Sequence, residues 1–243
     1  TEVLRSAPAG KIIIRTIDAG SDKPVPFFSL EDEENPALGM RGFRLATDYP
    51  EFQKSQLQAI QKAIAATGRD VGVMAPMVST VEEVREFKAL CSEAGISQVG
   101  IMIETPAIIP VMPDLGGVLD FVSIGTNDLS QYLFAADRMH PKLGSLNNPW
   151  QPGLLRSVSA IATEAGKLGI PVGVCGESAA NPLISIVFAG LGIDSVSVAP
   201  SAVEEVSSAL AAVTIDQAQA AADAASAAST PGEAEAGVRA LFA

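Results

Sequence analysis

The chain is poor in several residue types, and each shortage excludes something. It has two cysteines, one histidine and one tryptophan in 243 residues, with aromatics at 5%. Cys91 and Cys175 stand far apart, so neither a close-paired zinc site nor a disulfide framework is expected, and both are read as free thiols of a cytoplasmic protein. With a single histidine, His140, an imidazole-based metal or catalytic cluster has too few members. Positive charge is also scarce. Sixteen Lys and Arg stand against 28 Asp and Glu, a formal charge of −12, and no basic run occurs. Such a surface has no electrostatic footprint for nucleic acid or anionic membranes, so an anionic ligand must be held by a few placed arginines. No apolar run approaches the ~20 residues that cross a bilayer, and TEVLRSAPAG at the start lacks the apolar centre of a signal peptide, so no membrane insertion is expected.

What is present is a core. Apolar residues make up 48% of a length sufficient for one large α/β barrel. Short apolar or β-branched runs recur at 11–18, 71–77, 98–104, 120–126, 171–176 and 194–200. Their near-continuous hydrophobicity fits parallel strands covered on both faces. A weaker seventh strand is expected at 38–41. Between the runs the spacing is helical. Asp48 and Pro50 open a stretch with Leu57, Ile60 and Ile64 on one face before Gly68, and Leu154, Val158, Ile161 and Ala165 form another such face. Thr80 with Glu83 and Ser201 with Glu204 read as capping boxes. The Ala-rich segment at 214–228 has little apolar bulk and reads as an exposed or partner-facing helix. The longest irregular stretch is 19–37.

Chemically capable residues gather at the carboxyl ends of the strand runs: Arg15, Glu104, Asn127 with Asp128, and Cys175. In α/β barrels catalytic groups come from those ends. Glu104 and Asp128 would suit a hard divalent cation such as Mg²⁺, which is held by one or two carboxylates, water and substrate oxygens. Arg15, Arg41 and Arg138 are candidates for a phosphate or carboxylate, because a guanidinium makes permanent bidentate contacts. Cys175, between Gly173 and Gly176, could serve as a thiol acid. Taken singly, each has an ordinary explanation as a salt bridge, turn residue or buried thiol.

The strings KIIIRTIDAGSDKP (11–24), EENPALGMRGFR (33–44), IMIETPA (101–107), SIGTNDLSQY (123–132), AADRMH (135–140) and GVCGES (173–178) occur in this order. Together they resemble the carboxyl-terminal, phosphoenolpyruvate-binding domain of Enzyme I of the bacterial sugar phosphotransferase system, over nearly the whole chain. The resemblance implies a (β/α)₈ TIM-type barrel across 1–243 that binds phosphoenolpyruvate and Mg²⁺, releases pyruvate and forms a homodimer. Residue by residue it implies that Arg15 and Arg41 hold the phosphoryl group and that Arg138, Asn127 and Asp128 contact the substrate. Glu104 and Asp128 match the Mg²⁺ ligands, and Cys175 the donor of a proton to the enolate. In the family the phosphoryl group passes to a histidine in an amino-terminal domain and onward to a histidine-containing phosphocarrier protein. That domain's Gly-rich Ser-His string does not occur here, and His140 does not match it, so the expectation is substrate binding without full turnover. The family's first barrel strand and helix are also unmatched. Ser21 stands where Gly is usual. A dikinase-type domain, a Mg²⁺-dependent pyruvate-enolate aldolase and a binding and dimerisation module are the competing readings.

Overall fold

The computed structural model describes every residue except 22, 27 and 29–31; the part of the expected loop at 19–37 that falls on these lies outside the described residues. The chain divides into two compact units, Thr1–Met102 with Gly117–Phe121, and Ile103–Gly116 with Val122–Ala243.

The first unit is built on β1 (Ile12–Arg15), β2 (Val71–Ala75) and all but the last residue of β3 (Val99–Ile103). β1 pairs in parallel with β2, Ile12 opposite Val71 and Arg15 opposite Met74, and β2 pairs in parallel with β3, Val73 opposite Val99. Both β2 and β3 are buried at every position, as their unbroken apolar runs require. Parallel strands need crossovers, and helices supply them. After α1 (Glu2–Ser6), α2 (Pro50–Thr67) buries Leu57, Ile60 and Ala63. α3 (Val81–Glu93) begins on Thr80, whose hydroxyl accepts from Glu83 N while the Glu83 carboxylate accepts from Thr80 N, the capping box expected from the sequence.

The second unit carries β4 (Phe121–Gly125), β5 (Val172–Cys175) and the two-residue β6 (Ser195–Val196), paired in parallel with Val122 opposite Val172 and Gly173 opposite Ser195. Its helices are α4 (Thr126–Leu133), α5 (Pro152–Leu168), α6 (Pro182–Gly190), α7 (Val203–Ala211), α8 (Ile215–Ala227) and α9 (Pro231–Leu241). α5 buries Leu154, Leu155, Val158, Ile161 and Ala165, the face expected from its spacing.

The fold class is thus α/β of the barrel type, with six parallel strands among the described residues, and three expectations need correction. Residues 38–41 are not a strand. Pro36–Leu38 forms a 3₁₀ turn, Met40 N donates to the Glu33 carboxylate at 2.8 Å, and the carbonyls of Leu38 and Gly39 accept from Arg44. Side chains therefore consume the backbone groups a ladder would need. Ser201 does not cap α7, because it lies inside a 3₁₀ turn (Pro200–Ala202) and the helix starts after Ala202 without a side-chain cap. The Ala-rich helix is not merely a surface element: α8 buries Ala218, Ala221, Ala222 and Ala225 on one stripe. Small side chains let it approach its neighbours closely, so burial is achieved without bulk.

Candidate functional site

In the first unit Arg15, Lys23 and Arg41 converge on a carboxylate that the sequence reading did not single out. Asp18, three residues beyond Arg15, has a side chain 1% exposed. Arg41 Nη2 donates to both of its oxygens, at 3.3 and 3.2 Å, and is itself 1% exposed. Lys23 Nζ donates to Oδ2 at 2.9 Å, and Arg15 Nη1 lies 3.5 Å from the same oxygen. Burial by itself would raise the Asp18 pKa, but the Lys23 hydrogen bond and the charges of Arg41, Lys23 and Arg15 together hold the carboxyl below its ordinary value. Arg15 also meets Met102 Sδ at 3.7 Å and, unlike Arg41, keeps a side chain 42% exposed. Asp18 sits inside the RTIDAGSDK string, close in sequence to both Arg15 and Lys23, but that spacing alone does not mark it as a hub.

The loop that delivers Arg41 is braced from outside. The Glu33 carboxylate accepts from Ser21 Oγ at 2.7 Å and from Met40 N, which holds its pKa below the usual range. Arg44 adds a bond to Ser79 Oγ at 3.3 Å. Ser21 therefore does more than fill a position where Gly is usual, since its hydroxyl ties the start of the loop to its end.

The second unit places Glu104 directly after β3 and Asp128 in the first turn of α4, both buried, at 1% and 6% exposure. Both are oxygen donors. Among the described residues no group of three or more His, Cys, Asp or Glu is placed to hold a metal by itself. Asn127, beside Asp128, accepts from Glu177 N at 3.1 Å through Oδ1. This contact joins the start of α4 to the turn after β5, and Gly176 makes it possible. At φ 105° a side chain is strained, and a Cβ there would stand 2.5 Å from Thr126 Oγ1 and 3.0 Å from Asn127 Oδ1. Thr126 Oγ1 donates to the Cys175 carbonyl at 3.0 Å and lies 2.6 Å from Ser178 Oγ, so a small polar network knits the same turn.

Asn127, Arg138 and Glu177 line a cavity of about 690 Å³, with Thr126, Ser130, Asn147, Ser178 and Asn181 among its other walls. Arg138 is presented by the loop after α4, its backbone N–H donating to Gln131 Oε1 at 3.0 Å. His140 is exposed, its Nδ1 accepting from Lys142 N, as expected of a loop residue.

The two cysteines differ as physical objects. Cys175 ends β5 half-buried, its thiol 3.5 Å from both Ser123 Oγ and the Ile124 carbonyl. Cys91 is fully buried in α3, and burial pushes its thiol up to about 12. In native protein near pH 8, a thiol reagent is expected to label Cys175 and to leave Cys91 unmodified until denaturant is added. Peptide mass spectrometry reads this directly, and labelling of Cys91 at a comparable rate would mean that its helix opens readily.

Residues 1–215 match the family model described as PEP-utilising enzyme, PEP-binding domain. The chain belongs to the PEP-utilising enzymes. Among the relatives of this PEP-binding domain is a phosphoenolpyruvate-protein phosphotransferase of Streptomyces coelicolor, 40% identical over 242 residues, covering 99% of this chain and 44% of that protein. Another of the same name, from Bacillus subtilis, is 36% identical over 213 residues, covering 83% of the chain and 37% of the relative. The chain thus spans less than half the length of the curated relatives it matches. A solved citrate lyase from Burkholderia xenovorans LB400 shares the fold, with a TM-score of 0.51 at 16% identity, covering 78% of this chain and 68% of that one. The expected family resemblance holds for the PEP-binding domain.

Proposed function

We propose that this chain is the phosphoenolpyruvate-binding part of a phosphoenolpyruvate-protein phosphotransferase. The observation that carries the reading is the match of 40% identity along 99% of the chain to a protein of that name. The Asp18-centred group of cations gives it a physical basis. In the proposed reaction the phosphorus–oxygen bond of the substrate breaks and a phosphorus–nitrogen bond forms on a histidine of a separate amino-terminal domain, from which the group passes to a histidine-containing phosphocarrier protein and serves sugar uptake. Arg15 and Arg41 hold the phosphoryl oxygens, Arg138 and Asn127 hold and orient the substrate, and Asp128 contacts it. Preorganised positive charge of this kind stabilises the charge spread over a transferring phosphoryl group.

Glu104 and Asp128 would hold Mg²⁺. Their chemistry fits: two buried carboxylates leave the remaining positions to water and substrate oxygens, the usual habit of that ion. When bound, Mg²⁺ supplies charge neutralisation for the phosphoryl and enolate oxygens. Cys175 Sγ then gives its proton to the methylene carbon of the enolate, and pyruvate leaves. The Ser123 hydroxyl and the Ile124 carbonyl fix the thiol's position. We assign the protein to the cytoplasm as a homodimer; no helix among the described residues is long and apolar enough to cross a membrane.

Titrating phosphoenolpyruvate into the chain by calorimetry, with Mg²⁺ and again with chelator, is expected to give saturable heat only in the first case, with pyruvate as the control ligand. No heat from folded protein would remove the assignment. In the parent full-length enzyme, Cys175→Ala is expected to keep substrate affinity within about twofold and to slow pyruvate formation by about 10²–10⁴-fold, the usual contribution of a placed general acid. Pyruvate release at the native rate would dismiss Cys175 as the donor.

A further inference from the structure

We propose that Asp18 is a positioning residue that holds Arg15, Lys23 and Arg41 as one preassembled receptor for phosphoryl oxygens, and that Lys23 is a member of that receptor; the inference rests on the phosphoenolpyruvate reading above. Three cations meet one carboxylate, so the group carries 3 − 1 = +2. Without the carboxylate, like charges at this spacing would repel and disperse, and each would have to be gathered again on binding. With it, that reorganisation is completed during folding.

The anchor is itself fixed. Just upstream of Asp18, Thr16 N donates to the Met74 carbonyl at 2.9 Å and Ile17 N to Gln56 Oε1 at 3.2 Å. Just downstream, Gly42 N donates to the Ala19 carbonyl at 2.9 Å, which stitches the backbone beside Arg41 to the backbone beside Asp18. The carboxylate therefore cannot follow a wandering cation; the cations must come to it. The members also differ in exposure. Arg41 is 1% exposed and braces the acid from within, whereas the side chains of Arg15 and Lys23 are 42% and 37% exposed. Arg15 and Lys23 each offer Asp18 one nitrogen. A guanidinium has five N–H donors and an ammonium three, which leaves donors for a dianionic phosphoryl group.

A carboxylate that served folding alone would make the same bonds, so the decisive readout is coupling in ligand affinity. By calorimetry on this chain with Mg²⁺, Asp18→Asn is expected to weaken phosphoenolpyruvate binding at least tenfold. Arg15→Gln is expected to weaken it similarly. In the Arg15→Gln background, adding Asp18→Asn should cost less than it does in the unsubstituted chain, because the share of the acid's effect that runs through Arg15 is already lost. Full additivity, or unchanged affinity in a folded Asp18→Asn protein, would overturn the proposal. Should Asp18→Asn fail to fold, Lys23→Gln tests the same receptor at a partly exposed position: a loss of about three- to tenfold is expected, and native affinity would overturn it. If the unsubstituted chain itself gives no phosphoenolpyruvate heat, the functional reading fails first and this inference with it.

Discussion

Arg41→Ala is expected to lower folding stability by roughly 3–5 kcal/mol and to abolish measurable phosphoenolpyruvate binding. The first figure is that for removing one partner of a buried ion pair, which leaves the other charge uncompensated. Both side chains here are 1% exposed, so water cannot replace the lost contact. Domains of ordinary stability hold about 5–15 kcal/mol in all, so the loss is a large fraction of the total. Urea unfolding should show a lowered midpoint at unchanged slope, and Arg41→Lys should recover part of it by restoring the charge without the fork. A midpoint equal to that of the native chain would mean that Lys23 and Arg15 suffice to compensate Asp18.

Acid provides a second readout of the same pair. The folded pKa of Asp18 lies below the ordinary value of 3.8. Its contribution to stability is therefore complete above that value and is lost as pH falls through the folded pKa. The groups facing it are Lys23, Arg41 and Arg15. Removing Arg41 takes away one of the influences that lower the pKa, so the acid limb of the stability curve should move upward in pH. A limb that stays in place would place the acid sensitivity on other carboxylates.

The strands were legible because their signal is collective. A run such as VGVMA needs no alternation when both faces are covered, and five successive buried positions in β2 repeat that pattern in the structure. The candidate residues take the strand-end positions expected of them: Arg15 ends β1, Glu104 follows β3, Asp128 lies in the first turn of α4 after β4, and Cys175 ends β5. Asp18 was not legible as a hub, because a lone Asp after a strand has many uses. Its meaning comes from Arg41, 23 residues away, and the 3₁₀ turns that deliver that side chain leave no periodic trace. Residues 38–41 misled for a related reason. Their backbone partners are the Glu33 carboxylate and the Arg44 guanidinium, and side-chain capture of backbone groups has no period to detect. Ser201 failed by a displacement of one residue, a 3₁₀ turn having taken the place of the helix start.

The Ala-rich helix was misjudged because composition was taken as a measure of burial, and the consequence is testable with a change of sign. Gly190→Ala is expected to destabilise the chain by about 1–3 kcal/mol or more, the cost of overpacking a tight interface. A Cβ at Gly190, the last residue of α6, would run into the Ala218 carbonyl oxygen and lie 2.8 Å from Gln219 N in α8. Those are backbone atoms, which cannot rotate away, so the helices must part. Parting them would open contacts along the whole stripe of Ala218, Ala221, Ala222 and Ala225, whose small side chains cannot reach across a gap. Helix propensity alone predicts the opposite, since Ala exceeds Gly by roughly 1 kcal/mol in a helix interior. Gly237→Ala supplies the comparison. In α9 its added Cβ would meet only the Ala224 Cβ at 3.8 Å, ordinary van der Waals contact, so that substitution should stabilise by up to about 1 kcal/mol. Opposite shifts in thermal midpoint at the two positions would show that α8 is held by backbone proximity to α6. A stabilising Gly190→Ala would instead mean that the two helices slide apart at little cost, as an exposed helix would.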